Sequence, residues 1–135
     1  MIVDSSALVA IVTQETTAAA CLATLLSAPI RRLSAGSYLK AAIVLSRVKD
    51  DVYSAEFDEL IAISEIVIEP ATAEQAQIAR EAHRRYGRGS RHRAHLNFGD
   101  CFAYALAKVY DETLLFVGND FIHTDLQPAL SLIHI

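Results

Sequence analysis

Short apolar runs alternate with longer segments of helical periodicity along this 135-residue chain. The strand-like runs lie at 2–3, 31–34, 66–68 and 114–117, with a weaker one at 130–135. Helical patterns cover 6–12, 16–26, 36–48, 52–64, 72–86 and 98–110. Strands that alternate with helices are typical of parallel pairing with helices on both faces of the sheet. The pattern predicts an α/β fold with three layers, in which a parallel sheet is flanked by helices.

Local signals support these boundaries. Pro29 and Pro70 fall outside the predicted helices. Thr72 with Gln75 forms a capping-box pattern, and Asn97 is a suitable N-cap for the helix that follows it. The chain has no internal repeat and no low-complexity linker, and its length suits one unit. We therefore expect residues 1–135 to form a single domain.

Composition narrows the class of protein. Hydrophobic residues make up 53% of the chain, and the formal net charge is −4, so contact with nucleic acid requires a local basic patch. Cys21 and Cys101 lack a CxxC spacing, which favours reduced core residues over a metal site or a disulfide. The first residues show no secretory signal pattern, and no apolar run approaches the about 18 residues of a membrane span. These features predict a cytoplasmic protein without membrane contact.

Three aspartates follow strands or begin a helix. Asp4 ends the first strand, Asp100 lies in the first turn of the helix at 98–110, and Asp120 follows the strand at 114–117. In a parallel sheet, the carboxyl ends of strands and the helix starts after them share one edge. Converging carboxylates repel one another unless a hard divalent cation lies between them. The arrangement predicts a metal site suited to phosphodiester hydrolysis.

Each aspartate also has a simpler interpretation. Asp4 can cap a helix, Asp100 can complement a helix dipole, and Asp120 can be a turn residue. Taken one at a time these roles are favoured, and only the combination favours a metal site. A phosphatase-like enzyme with Asp4 as nucleophile is a weaker alternative, because Ser6 stands where it needs a second acid.

Three segments resemble known motifs. Residues 1–10 read MIVDSSALVA, residues 92–104 read HRAHLNFGDCFAY, and residues 114–121 read LLFVGNDF, with His-Thr-Asp at 123–125. In order and spacing they resemble the opening, central and closing motifs of VapC-type toxins of the PIN-domain ribonuclease family. The likeness runs almost from end to end of the chain.

The resemblance implies a PIN fold and an endoribonuclease that depends on Mg²⁺ or Mn²⁺, the toxin of a type II toxin–antitoxin pair. It makes Asp4 and Asp100 primary metal ligands, and Asp120 a ligand or positioner of a second metal through water. It also suggests that Ser6 hydrogen-bonds within the site and that Asn119 orients a water or phosphate, although a helix-start hydroxyl and a turn asparagine are ordinary alternatives.

The resemblance also implies partners. These are a VapB-type antitoxin whose C-terminal segment lies in an apolar groove, an RNA substrate such as tRNA or rRNA, and a second copy of the chain in a homodimer. Contact with DNA is expected only through the antitoxin.

The chain departs from the family pattern at Lys40, which stands where a glutamate is expected in the helix after the second strand. At about 4 Å and an effective dielectric of about 20, two unit charges interact by roughly 4 kcal/mol. A charged lysine cannot ligate a metal, but it can pair with Asp4 or Asp100. The flanking alanines and leucine predict an inward-facing segment, and a solvated helix lysine is the alternative. Lys40 therefore predicts impaired activity, or a catalytically silent protein that binds antitoxin, RNA or both.

Arginine is concentrated just before Asp100. Five of the nine arginines fall within 84–93, and we select Arg88, Arg91 and Arg93 as RNA-binding candidates. Arginine binds phosphate in bidentate geometry, and the flanking Tyr86 and Phe98 can stack on unpaired bases. A solvated charged loop is the alternative.

Overall fold

A computed structural model describes residues 1–130 of the chain. Its elements are β1 (Ile2–Val3), α1 (Ser5–Val12), α2 (Ala18–Ser27), β2 (Arg32–Ser34), α3 (Ala35–Ile63), β3 (Val67–Glu69), α4 (Ala73–Tyr86), α5 (Phe98–Tyr110) and β4 (Leu114–Leu115). The order of strands and helices follows the prediction, and α3 contains both helices predicted at 36–48 and 52–64. Of the weak run at 130–135, Leu130 lies in a bend and the rest lies outside the described residues.

The four strands form one parallel sheet in the order β3-β2-β1-β4. Successive strand residues point to opposite faces. Ile2 and Leu114 belong to the core shared with α4 and α5, whereas Val3 and Leu115 belong to the core shared with α1, α2 and α3. The predicted three-layer α/β architecture is confirmed.

Helix α3 contains the two helices that the sequence predicts at 36–48 and 52–64. They meet at a kink at Lys49, whose φ of −148° and ψ of 86° are not helical, and helical structure lies on both sides of it within Ala35–Ile63. The first part buries Ala41 and Leu45, and the second part buries Phe57. Both parts are anchored in the core, so one distorted residue is enough to change the helix direction.

The cysteines, the start of α4 and the lengths of the apolar helices were also predicted from the sequence. Cys21 and Cys101 are both free and buried, as predicted. The Thr72 hydroxyl accepts from the Gln75 N–H at 3.1 Å, so Thr72 is the expected N-cap. Within residues 1–130, no helix is both long and apolar enough to cross a bilayer.

Candidate active site

Asp4 lies at the carboxyl edge of the sheet, directly after β1 and beside the end of β4. Its Oδ2 accepts a hydrogen bond from the Ser6 N–H at 3.0 Å and so caps α1. Its Oδ1 is buried and has no hydrogen-bond partner. The capping interpretation therefore accounts for one oxygen of Asp4 and leaves the other as an unsatisfied acceptor inside the site.

Asp100 is held by a reciprocal capping box at the start of α5. Its Oδ2 accepts from the Asn97 N–H at 3.0 Å, and the Asn97 Oδ1 accepts from the Asp100 N–H at 2.9 Å. Its Oδ1 lies 3.7 Å from the Lys40 Nζ. Asn97 is confirmed as the N-cap, and the carboxylate of Asp100 is fixed by the local fold of its own helix.

Lys40 reaches the carboxylates across the backbone of Gly99. A Cβ at Gly99 would lie 2.7 Å from the Lys40 Cδ and 2.9 Å from its Nζ, so a larger residue there would displace the end of the Lys40 side chain from its present position. The ion pair with Asp100 rules out the alternative of a purely solvated lysine.

The surroundings of Lys40 correct one expectation. The segment does not face inward as a whole, because Leu39 is 58% exposed while Ala41 is fully buried. Lys40 lies at the boundary, with 35% of its side chain exposed. The stem can therefore pack on Gly99 while part of the ammonium remains in contact with water.

Burial raises the pKa of Asp4, while hydrogen bonds from Ser6 and the charge of Lys40 oppose that rise. The pKa of Asp100 is raised to about 6, first by burial and then by the charges of Asp4 and Asp120; the Asn97 N–H and Lys40 act in the opposite direction. The charges of Asp4 and Asp120 thus oppose ionisation of Asp100, and the meeting of all three aspartates at one site stays a prediction.

The fit of these residues to a divalent cation is incomplete. The free Oδ1 of Asp4 is the kind of oxygen that a hard cation takes. However, Asp100 is paired with the Lys40 ammonium, and Asn119 and Asp120 are exposed. In residues 1–130, no three His, Cys, Asp or Glu side chains form a cluster that could hold a metal ion. With Lys40 in place the donor set does not fit a resident cation, and the ligand roles of Asp4, Asp100 and Asp120 stay predictions.

Two neighbouring polar residues have clear structural contacts. The Ser6 hydroxyl accepts from the Val117 N–H at 3.0 Å and so holds the chain after β4 against the start of α1. Asp125 accepts from the Tyr104 hydroxyl at 2.7 Å and from the Lys108 Nζ at 2.8 Å. Asp125 therefore anchors the chain after β4 to α5.

The basic segment is a loop closed at its base by pairing between Gly87 and Leu96. The Arg88 N–H donates to the Leu96 carbonyl at 3.0 Å, and the Leu96 N–H donates to the Tyr86 carbonyl at 2.9 Å. Inside the loop, His92 packs edge-on against Tyr86. The three candidate residues Arg88, Arg91 and Arg93 are all exposed. The loop therefore presents cationic side chains from a backbone held in place.

Sequence reasoning did not identify a cleft between α4 and α5. Arg80 and His83 on α4 face Phe98 and Cys101 on α5 across it. The sequence did contain one indication of a shared helix face. Ala76 and Ala79 are three residues apart, as are Arg80 and His83, and residues at this spacing lie on the same face of a helix. That spacing was visible, but the partner helix across the cleft was not.

We expect Asp100→Asn to stabilise the protein at neutral pH. An acid whose pKa is raised on folding binds more protons in the folded state than in the unfolded state. The contribution of Asp100 to the free energy of unfolding therefore falls as the pH rises from about 4 to about 6, and it is constant at higher pH. Asparagine keeps an oxygen for the Asn97 N–H and removes the charge. Urea unfolding should show a gain of about 1–2 kcal/mol at pH 7.5 and little difference at pH 4.

The matched control for this measurement is Asp125→Asn, which removes the charge that pairs with Lys108 and should lower stability at pH 7.5. A loss of stability in Asp100→Asn at pH 7.5 would contradict the electrostatic account of Asp100.

Comparisons with known proteins agree with the fold and with the motifs. The PIN domain family profile matches residues 1–126. Ribonuclease VapC28 of Mycobacterium tuberculosis is 54% identical over 130 residues, covering 96% of this chain and 98% of that protein. Ribonuclease VapC42 of the same species is 45% identical over 129 residues, covering 96% and 98%.

A solved structure supports the same fold. The crystal structure of Mycobacterium tuberculosis VapC20, described as a Sarcin-Ricin loop cleaving toxin, has a TM-score of 0.72 at 16% identity and covers 94% of this chain and 98% of that one. The fold, the order of the motifs and the similarity over nearly the whole length agree, and this chain belongs to the VapC-type ribonucleases of the PIN domain family.

Proposed function

We propose that this chain is the toxin of a type II toxin–antitoxin pair, built to cleave RNA phosphodiester bonds, and that Lys40 impairs the cleavage. The observation that carries the proposal is the Lys40 Nζ placed 3.7 Å from the Asp100 Oδ1, which is the family-motif aspartate at the start of α5. The ribonuclease relatives support the reaction class. The test is cleavage of purified RNA by the chain and by its Lys40→Glu variant.

Asp4 and Asp100 are proposed to hold Mg²⁺ or Mn²⁺ only when the Lys40 ammonium no longer pairs with Asp100, and Asp120, Ser6 and Asn119 are proposed to support them. A cation held there would supply the charge that activates water and stabilises the leaving oxygen. In this chain the ammonium of Lys40 competes with the metal ion for the carboxylate of Asp100. Its positive charge also repels the metal ion. We therefore expect weak or absent Mg²⁺ binding in calorimetry, and tight binding to the unchanged chain would contradict this role of Lys40.

A second candidate function is a catalytically silent PIN-fold protein that still binds antitoxin, RNA or both. The ion pair between Lys40 and Asp100 favours it, because this pair neutralises part of the acidic site without a metal. The two candidates differ in one requirement, since only cleavage needs a divalent cation at Asp4 and Asp100.

The RNA is proposed to approach over the loop of residues 88–95, which leads into α5 and Asp100. Replacing Arg88, Arg91 and Arg93 together by alanine should weaken binding to a structured RNA. The slope of log affinity against log salt should flatten by about 2, because a protein that neutralises fewer phosphates releases fewer counterions. Fluorescence anisotropy at several salt concentrations measures this slope. An unchanged slope would mean that the loop is only a solvated surface.

The antitoxin segment is proposed to bind a groove between α1, α2 and the end of α3. The groove has a volume of about 310 Å³. Its apolar lining comprises Ile11, Val12, Leu22, Leu26, Leu60 and Ile63, and its acidic rim comprises Glu56 and Glu59. An amphipathic helix that carries basic residues beside its apolar face fits this surface.

Three further parts of the proposal follow from the family. Residues 1–135 form one domain, the protein is located in the cytoplasm, and it contacts DNA only through the antitoxin.

Assembly can be tested with one substitution. Ile63 is 68% exposed and lines the groove, so Ile63→Lys should abolish binding of the proposed VapB-type antitoxin without unfolding the toxin. Val52→Lys is the matched control, because Val52 is exposed on the same helix but does not line the groove. Light scattering should show a homodimer for all three proteins. A monomer at high concentration, with no affinity for the proposed antitoxin, would refute the assembly.

A further inference from the structure

The cleft between α4 and α5 is separate from the acidic centre. It has a volume of about 340 Å³, at the lower end of the range of roughly 300–1,000 Å³ that small-molecule sites occupy. Its lining includes Ala79, Arg80, His83, Phe98, Cys101 and Phe102. Phe98 and Phe102 also line the cleft that contains Lys40 and Gly99. The two aromatic residues thus stand between the α4–α5 cleft and the acidic centre.

Phe98 is unusual because 78% of it is exposed, the largest fraction among the exposed large hydrophobic residues described. It is the first residue of α5, two positions before Asp100. Its ring packs edge-on against Phe102, with centroids 5.2 Å apart. This contact holds one part of the ring while most of its surface stays open. An oriented aromatic ring exposed to water offers a face on which a planar heterocycle can stack.

The charge of Arg80 and the absence of acidic side chains from the lining favour an anionic ligand in the cleft. Arg80 and His83 stand on its α4 side, and the lining contains no acidic side chain. The loop that carries the exposed Arg88, Arg91 and Arg93 follows α4 directly. An apolar cleft with an exposed aromatic ring, a cationic arginine and a histidine N–H donor has the components that proteins use to hold an unpaired nucleotide.

We infer that the cleft binds one unpaired base of an RNA strand, with the base stacked on Phe98 and the flanking phosphates held by Arg80 and His83. The inference rests on the proposed function, which supplies RNA as the ligand. Phe98 lies two residues from Asp100, so a base in the cleft sets the register of the strand relative to the acidic centre. Phe98 is then a specificity-determining residue, and the cleft selects single-stranded positions over paired ones.

The test measures RNA binding in EDTA, so that it does not depend on cleavage. Affinities of the unchanged chain, Phe98→Ala and Phe98→Tyr are compared for a single-stranded RNA and for a duplex of the same sequence. Phe98→Ala should weaken single-strand binding by about tenfold and leave duplex binding unchanged, because paired bases offer no free face. Phe98→Tyr keeps an aromatic face and should bind normally. Leu39→Ala, which also shortens an exposed apolar side chain, is the matched control.

Two further measurements locate the base. Ala76 is exposed at the cleft, so Ala76→Phe should fill it and reproduce the weaker binding of Phe98→Ala. Abasic nucleotides placed one at a time in the single strand should weaken binding to the unchanged chain at one position. At that position they should cause no further weakening in Phe98→Ala, because that variant has no ring on which the base can stack.

The outcomes distinguish the base site from the proposed function. If the unchanged chain binds no RNA, the proposed function fails together with the inference. If it binds RNA while Phe98→Ala matches Leu39→Ala, or Ala76→Phe has no effect, the base site alone is refuted. If Phe98→Ala changes the molar mass in light scattering without changing RNA affinity per chain, the ring belongs to a contact between copies and the base site is refuted.

Discussion

Replacing Lys40 with glutamate should raise Mg²⁺-dependent RNA cleavage by about 100-fold or more. The substitution removes a positive charge 3.7 Å from the Asp100 Oδ1 and adds a negative one, a change of two charge units beside the proposed metal ligands. A pair of unit charges at this distance interacts by roughly 4 kcal/mol at an effective dielectric of about 20, and partial exposure of Lys40 reduces the effect. About 3 kcal/mol of recovered cation binding already corresponds to roughly 100-fold.

The measurement combines cleavage of purified RNA in Mg²⁺, Mn²⁺ or EDTA with growth of cells that express each protein without antitoxin. Lys40→Glu should cleave and be toxic, and calorimetry should show that it binds Mg²⁺. Lys40→Gln frees Asp100 without adding a carboxylate and should give an intermediate result. Lys49→Glu makes the same change in net charge at the exposed kink of α3 and should have no effect.

Two results would change the conclusion. If the unchanged chain cleaves RNA as fast as Lys40→Glu, the inhibitory role of Lys40 is wrong. If neither protein cleaves any RNA offered and neither slows growth, the toxin hypothesis loses its support and the silent binding protein becomes the better account.

Asp4→Asn in the Lys40→Glu background should reduce cleavage about 1,000-fold, to near the level without enzyme, and leave the fold intact. Asparagine keeps a side-chain oxygen for the Ser6 N–H that caps α1, but it removes the charge needed at the unpaired Oδ1. Because burial raises the pKa of Asp4, removal of its charge should not lower the free energy of unfolding at pH 7.5. Cleavage rates and urea unfolding of the same samples test both parts.

The control is Asp125→Asn in the same background. It removes the charge opposite Lys108, so this variant should be less stable but still cleave RNA. This opposite pattern separates a chemical role from a structural one. An Asp4→Asn variant that cleaves normally would remove Asp4 from the site, and one that unfolds would show that its buried carboxylate serves mainly the fold.

Periodicity determined most of the architecture. The strands at Ile2–Val3 and Leu114–Leu115 could be predicted because apolar runs buried on both faces have few other uses in a small α/β protein. Asn97 could be assigned as an N-cap because capping depends on residues close together in the chain. The strand and helix ends then indicated that Asp4 and Asp100 lie at one edge of the sheet. The motifs that contain these two aspartates indicated the PIN fold.

The sequence by itself thus determined the layers, the edge that carries the acidic residues and the unusual charge at Lys40. Only the tertiary structure decided that Lys40 crosses Gly99 to reach Asp100, that Asp4 has one capped and one unpaired oxygen, and that α4 and α5 leave a cleft beside Phe98. The reason is physical. Residue spacing governs hydrogen bonds within one or two helical turns, whereas contacts between Lys40 and Asp100 depend on how whole helices pack against the sheet.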